Sequence, residues 1–172
     1  MKVGLIGSGG MGEGMSYHIM KNNIEVWGYT NDYSNSQEHY EKGDLTGCVT
    51  SLKYLAEVVH HDSKVHTSAG KVPGVFILTL PIGVVDETIK DLLEYCDQGD
   101  IIIHHGDFNF SEFRRRSEML SKLGIQFIDC DTSTDSIQVT GARTTITACS
   151  SIFKSLAPTS KWNEYSTMGA VC

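Results

Sequence analysis

The sequence predicts an α/β fold, a doubly wound and mostly parallel sheet with helices on both faces. Three observations carry this. Apolar runs of strand length alternate along the chain with amphipathic stretches of helix length. The run Val75-Phe76-Ile77-Leu78-Thr79-Leu80 shows no in–out alternation, as expected of a strand buried on both faces. A glycine-rich turn separates the first strand from the first helix. With 172 residues the chain has the size of one domain, and 40% apolar against 20% charged residues supply both a core and a solvated surface. Three prolines and no low-complexity tract argue against disorder.

In chain order, Lys2–Ile6 reads as a strand, Gly10–Lys21 as a helix and Glu25–Tyr29 as the second strand. Ser51–Val59 is predicted helical, with Ser51 as N-cap because its hydroxyl can accept from a free N–H of the first turn. After the Val75–Leu80 strand, Asp86–Tyr95 places Ile89, Leu92 and Leu93 on one helical face. Asp100–Ile103 is a strand and Ser111–Leu123 a helix, stopped by Gly124 in a left-handed conformation. Gln126–Asp129 is another strand, and Ser151–Leu156 a short helix before Pro158. His60–Pro73 breaks the rhythm. Its His60, His61, Asp62 and His66 resemble a ligand set, but Ser, Gly and Pro nearby mark an exposed polar connection, and no metal is expected.

Gly7-Ser8-Gly9-Gly10-Met11-Gly12 fits G-x-G-x-x-G in the context the motif requires, directly after a strand and opening a helix. Gly7 permits the tight turn, Gly9 lets a pyrophosphate approach the backbone, and Gly12 lets the helix lie close to the sheet. The free N–H groups at the helix start then face the anion. The expectation is a Rossmann-like, NAD(P)-binding domain spanning 1–172. At the end of the second strand, where an acid would hold the ribose 2′-hydroxyl, stand Thr30, Asn31 and Asp32. The neutral Thr30-Asn31 pair tolerates a 2′-phosphate, yet no Arg sits beside it and Asp32 repels one. Charge leaves NADP and NAD both open, with a slight lean to NADP.

The formal charge of −7, from 14 Lys+Arg against 21 Asp+Glu, repels a phosphate backbone and argues against nucleic acid. The dense Arg114-Arg115-Arg116 reads as the solvated face of a helix flanked by Glu112 and Glu118. Five scattered cysteines with no CxxC pair suit reduced thiols rather than a disulfide framework. The chain opens directly on a strand, without a signal-peptide pattern, and no apolar run reaches bilayer length. A cytoplasmic protein without membrane contact is expected.

Val3-Gly4-Leu5-Ile6-Gly7-Ser8-Gly9-Gly10-Met11-Gly12 with Met15 resembles the opening of the β-hydroxyacid dehydrogenases, in particular 6-phosphogluconate dehydrogenase. Leu80-Pro81-Ile82-Gly83-Val84-Val85-Asp86-Glu87-Thr88-Ile89 is similar to the family's segment bordering the nicotinamide and its ribose. Gly99–Ile103, Arg115–Glu118 and Gly124–Asp129 resemble the decarboxylating branch and Ile152–Pro158 is similar to the family's closing helix, so the likeness runs from Met1 to about Gly169. It implies NAD(P)-dependent oxidative decarboxylation of 6-phosphogluconate, with Leu80, Pro81 and Ile82 at the cofactor.

Departures accompany the likeness. Where the family reads Asp-Gly-Gly-Asn-Ser, this chain reads His104-His105-Gly106-Asp107-Phe108. Asp107 thus replaces an Asn that holds substrate and nicotinamide, and an acceptor-only carboxylate repels an anionic substrate unless a neighbouring histidine pairs with it. The family's Ser-Gly-Gly substrate loop is Ser133-Thr134-Asp135, which keeps Ser133 as a substrate contact and loses both glycines. The resemblance also implies a helical catalytic and dimerisation domain, which this sequence lacks. Lys154 and Lys161 lie before the place of its catalytic Lys, so no catalytic residue is identified. Three readings stay open: a 6-phosphogluconate dehydrogenase-type oxidoreductase present as its cofactor domain; a non-catalytic dinucleotide-binding sensor or partner module; and another β-hydroxyacid dehydrogenase, against which Gly99–Ile103 and Arg115–Glu118 argue. A homo-oligomer or a separate helical-domain partner is expected.

Overall fold

The computed structural model describes residues 1–7, 10–30, 33–61, 72–132, 136–156 and 162–166, with the backbone alone at residues 10, 11, 13, 33–36, 39 and 162–166. In chain order the elements are β1 Lys2–Ile6, α1 Gly10–Met20, β2 Glu25–Tyr29, α2 Tyr33–Lys42, β3 Gly47–Cys48, α3 Leu52–His60 and β4 Val75–Leu78. There follow α4 Ile82–Leu93, β5 Ile101–His105, α5 Phe110–Ser121, β6 Gln126–Thr132, β7 Ile137–Gly141, α6 Arg143–Ala148, α7 Ser150–Leu156 and β8 Trp162–Ser166. The strands form one sheet in the order β3-β2-β1-β4-β5-β6-β7-β8. The first six are parallel; β7 runs antiparallel to β6, and β8 parallel to β7.

Chain direction along the sheet reverses between β1 and β4, so helices fall on both faces. On one face Val3 and Leu5 pack with Met15 and Ile19 of α1 and with Ile152 and Phe153 of α7. On the other, Ile6, Phe76 and Ile102 meet Leu55 of α3, Ile89 of α4 and Leu120 of α5. Each fully buried side chain of this kind contributes about 1.5–3 kcal/mol. The bounds of β1 and β2 are those the sequence predicts. Ser51 caps α3, accepting from the Tyr54 N–H at 3.2 Å. Gly124, at φ +75°, ends α5 as expected, and the Ile125 N–H returns to the Leu120 carbonyl at 3.0 Å.

Several elements differ from the sequence reading. β4 stops at Leu78 and α4 starts at Ile82, four residues before the expected Asp86, because Pro81 at the N-cap has a preset φ and no N–H to waste. Asp100 lies outside β5. Its buried carboxylate accepts from the Gly74 and Asp97 N–H groups, each at 2.8 Å, and bonds His60 Nε2 at 2.8 Å. His60 is therefore the buried last residue of α3 rather than part of an exposed connection. Residues 62–71 of that segment, Asp62 and His66 included, lie outside the described residues.

The three arginines also divide. Arg114 and Arg115 are exposed, but Arg116 is only 2% exposed. Its Nε donates to Asp86 Oδ1 at 2.7 Å, and Arg115 bonds the other Asp86 oxygen and Glu112, so one carboxylate of α4 ties down two guanidinium groups of α5. Cys48, Cys96, Cys130 and Cys149 are free thiols; Cys172 lies outside the described residues. Burial pushes the thiols of Cys96 and Cys149 up to about 12. Among the described residues no helix is long and apolar enough to cross a membrane.

Candidate functional site

β1 delivers the chain to Gly7 at the switch point. Gly7 takes φ +93°, a left-handed conformation suited to glycine. Its N–H donates to the Tyr29 carbonyl of β2 at 2.9 Å, and its carbonyl accepts from the Thr79 hydroxyl after β4. The Thr79 N–H donates to the Ile6 carbonyl at 2.9 Å. The turn is thus clamped from both neighbouring strands. A Cβ at Gly7 would stand 2.5 Å from the Thr79 carbonyl oxygen, and one at Gly12 would strike the Gly7 carbonyl. The glycines let α1 start hard against the end of β1, where its first N–H groups and positive dipole end open toward the switch point. That fits a pyrophosphate, which needs bare backbone donors.

Beside the turn lies a cleft of about 240 Å³. Gly7, Thr30, Leu80 and the α4 residues Val84, Glu87 and Asp91 all line it. Of the residues the sequence singles out, the structure brings together Gly7, Thr30 and Leu80, with Gly12 packed beneath the turn. Gly10 and Met11 open α1. Pro81 and Ile82 start α4, exposed and outside the cleft lining. Ser8, Gly9, Asn31, Asp32, Ser133 and Lys161 lie outside the described residues. Sequence reasoning missed Thr79, the lone hydroxyl in an apolar run, and the pair Glu87 and Asp91, whose i,i+4 spacing places both on one face of α4.

Asp107 follows β5 as an exposed residue, and both histidines before it find their hydrogen-bond partners on β6. Both are buried within β5 and face β6: His104 Nδ1 lies 3.3 Å from Asp129 Oδ2, and His105 Nε2 lies 3.1 Å from Thr132 Oγ1. The offsetting pair considered for Asp107 is not formed, because β5 continues through both histidines and the β-strand alternation points them to opposite faces of the sheet. Burial pushes the Asp129 carboxyl up against the opposing pull of His104 and Arg116. Burial, then His104, pulls His105 down, against a smaller upward pull from Asp131. Lys154 is exposed in the last turn of α7. Among the described residues no group of His, Cys, Asp or Glu is arranged to hold a metal ion.

A parallel sheet whose strand order reverses beneath a glycine turn opening a helix defines a dinucleotide-binding α/β domain. Sequence comparison makes the class specific. The chain belongs to the family of NAD-binding domains of 6-phosphogluconate dehydrogenase, whose sequence profile matches residues 2–162. It is 32% identical over 130 residues to the decarboxylating 6-phosphogluconate dehydrogenase of Candida albicans, covering 73% of this chain and 23% of that protein. Among solved structures it is similar to 3-hydroxyisobutyrate dehydrogenase from Salmonella typhimurium, with TM-score 0.74 at 15% identity over 96% of this chain and 56% of that one. It is also similar to an imine reductase from Myxococcus stipitatus in complex with NADP+, with TM-score 0.76 at 9% identity over 96% and 55%. At such identity these structures carry the fold alone. The chain spans 40% or less of the length of the curated relatives it matches.

Proposed function

We propose that this chain is the cofactor-holding part of a 6-phosphogluconate dehydrogenase-type oxidoreductase, serving NAD(P)-dependent oxidative decarboxylation of 6-phosphogluconate in the cytoplasm. The observation that carries this is the Gly7 turn, clamped by Tyr29 and Thr79 beneath the start of α1. The backbone of Gly7–Gly12 would hold the pyrophosphate, Thr30, Asn31 and Asp32 the adenosine ribose, and Leu80, Pro81, Ile82 and Asp107 would border the nicotinamide. When bound, the nicotinamide supplies a hydride acceptor for the substrate hydroxyl carbon. Ser133 would donate to the anionic substrate, and Asp107 would meet it as a carboxylate. NADP+ occurs in a structural relative, and the neutral Thr30-Asn31 pair tolerates its extra phosphate.

Removing the hydroxyl proton requires a base, and among the described residues no Lys or His lines the cleft. In this reading the base comes from the helical domain that the family resemblance implies, and residues 1–172 by themselves bind dinucleotide without turning over substrate. The exposed Asp107, unpaired by either histidine, equally favours a second reading, a dinucleotide-binding module without catalysis. Calorimetric titration with reduced dinucleotide tests the shared claim: Gly9→Val is expected to abolish binding with an unchanged circular dichroism spectrum. Equal affinity would make the turn structural only. A steady-state assay with 6-phosphogluconate separates the rest, because turnover on the order of 10 s⁻¹ would reveal a base within this chain.

A further inference from the structure

This inference rests on the dinucleotide reading above and concerns its cofactor form. We propose that the cleft selects NAD over NADP, with Glu87 and Asp91 of α4 as discriminating residues. The cleft runs from the glycine turn at Gly7 to Thr30 at the end of β2, the side of a doubly wound sheet that takes the adenosine half. A 2′-phosphate there carries about −1.5 to −2 charges near neutral pH, by analogy with other phosphomonoesters. Binding it calls for a cation, and among the described residues no Lys or Arg lines this cleft.

The α4 part of the lining presents two carboxylates. Glu87 and Asp91 stand one helical turn apart, both exposed and both lining the cleft. Among the described residues neither is neutralised, in contrast to Asp86 beside them, which is taken up by Arg115 and Arg116. Both remain free to repel a phosphate and to accept a hydrogen bond from a ribose hydroxyl. Asp32, two residues beyond Thr30 in the sequence, adds charge of the same sign. The acids of α4 thus outweigh the tolerance of the neutral Thr30-Asn31 pair, and they do so from an element the strand-end motif does not include.

The experiment is calorimetric titration of the full chain with NADH and with NADPH, at low and at high salt. NADH is expected to bind about tenfold or more tightly at low salt, with the gap narrowing at high salt because the repulsion is between solvent-exposed charges. The double variant Glu87→Gln/Asp91→Asn is expected to bring the two affinities within about threefold, chiefly by strengthening NADPH. Equal or tighter NADPH binding by the unaltered chain would overturn the inference and leave the dinucleotide reading standing. So would an NADH preference that the double variant leaves intact. Failure of both cofactors to bind a chain that circular dichroism shows folded would overturn the dinucleotide reading itself.

Discussion

Thr79 carries one hydroxyl at the exit of an apolar strand, and that hydroxyl holds the Gly7 carbonyl. Thr79→Val keeps the branched shape and removes the donor, so a bond of about 0.5–1.5 kcal/mol is lost where the turn must stay rigid. Calorimetry is expected to show NADH binding weakened by about threefold to tenfold with little change in melting temperature. Unchanged affinity would mean that the backbone bonds from Gly7 to Tyr29 and from Thr79 to Ile6 suffice to hold the turn. His105 supplies a prediction of another kind. Its value is depressed by burial and by His104, so its contribution to stability is full above the unfolded value of about 6.5 and is lost as pH falls through the folded value. Asp129 acts oppositely: its raised carboxyl favours the fold below about 3.9, and that contribution is lost as pH rises through its folded value. Thermal melts should therefore show stability falling on acidification below about pH 6.5, with a flatter profile for His105→Gln. An identical slope in the variant would assign the acid sensitivity to other groups.

Helices α4 and α5 are joined by charge as well as by apolar packing. Arg116 is buried, and Asp86 is its nearest counter-ion; Glu112 Oε2 lies 3.5 Å from the same guanidinium. Removing one partner of a fully buried pair costs about 3–5 kcal/mol, and the exposure of Asp86 and the remaining Glu112 reduce that to about 1–3 kcal/mol for Asp86→Ala. Arg114→Ala, which breaks only a surface pair with Glu118, is expected to change stability by less than about 0.5 kcal/mol. Urea denaturation compares the two, and similar losses would refute the division of roles. The sequence shows the arginine run but not its pairing with Asp86 thirty residues away, which is why all three looked solvated. Other elements were hidden for local reasons. α2 is polar throughout, β3 is two residues long, and α6 is rich in β-branched threonine and isoleucine that favour strands when read alone.

At the scale of the molecule, the doubly wound arrangement was legible because parallel strands covered on both faces leave continuous apolar runs, as in Val75–Leu78 and Ile101–Ile103. The antiparallel return of β7 was not, since it follows the Ser133–Asp135 segment and its Ile137-Gln138-Val139 alternation is brief. The glycine turn was legible from spacing; the α4 side of the cleft was not, because Glu87 and Asp91 come to line the same cleft as Thr30 only once β4 lies against β1. Occupation of that cleft should stabilise the whole fold. At about one hundred times its dissociation constant, NADH is expected to add about 2.7 kcal/mol, seen as a rise in melting temperature. No rise would mean that the cofactor binds the unfolded chain as well as the native one, or does not bind.

β2 has a use that follows from where its aromatic residue sits. Trp27 is half-buried on β2, two residues before the cleft-lining Tyr29, roughly 7 Å along the strand. Indole emission overlaps the absorption of a reduced nicotinamide ring, so light absorbed at Trp27 can pass to a dinucleotide seated nearby and the indole then darkens. Filling of the cleft would be readable as a loss of ultraviolet fluorescence without any attached dye, and Trp27→Phe would separate that signal from Trp162, the other indole in the chain.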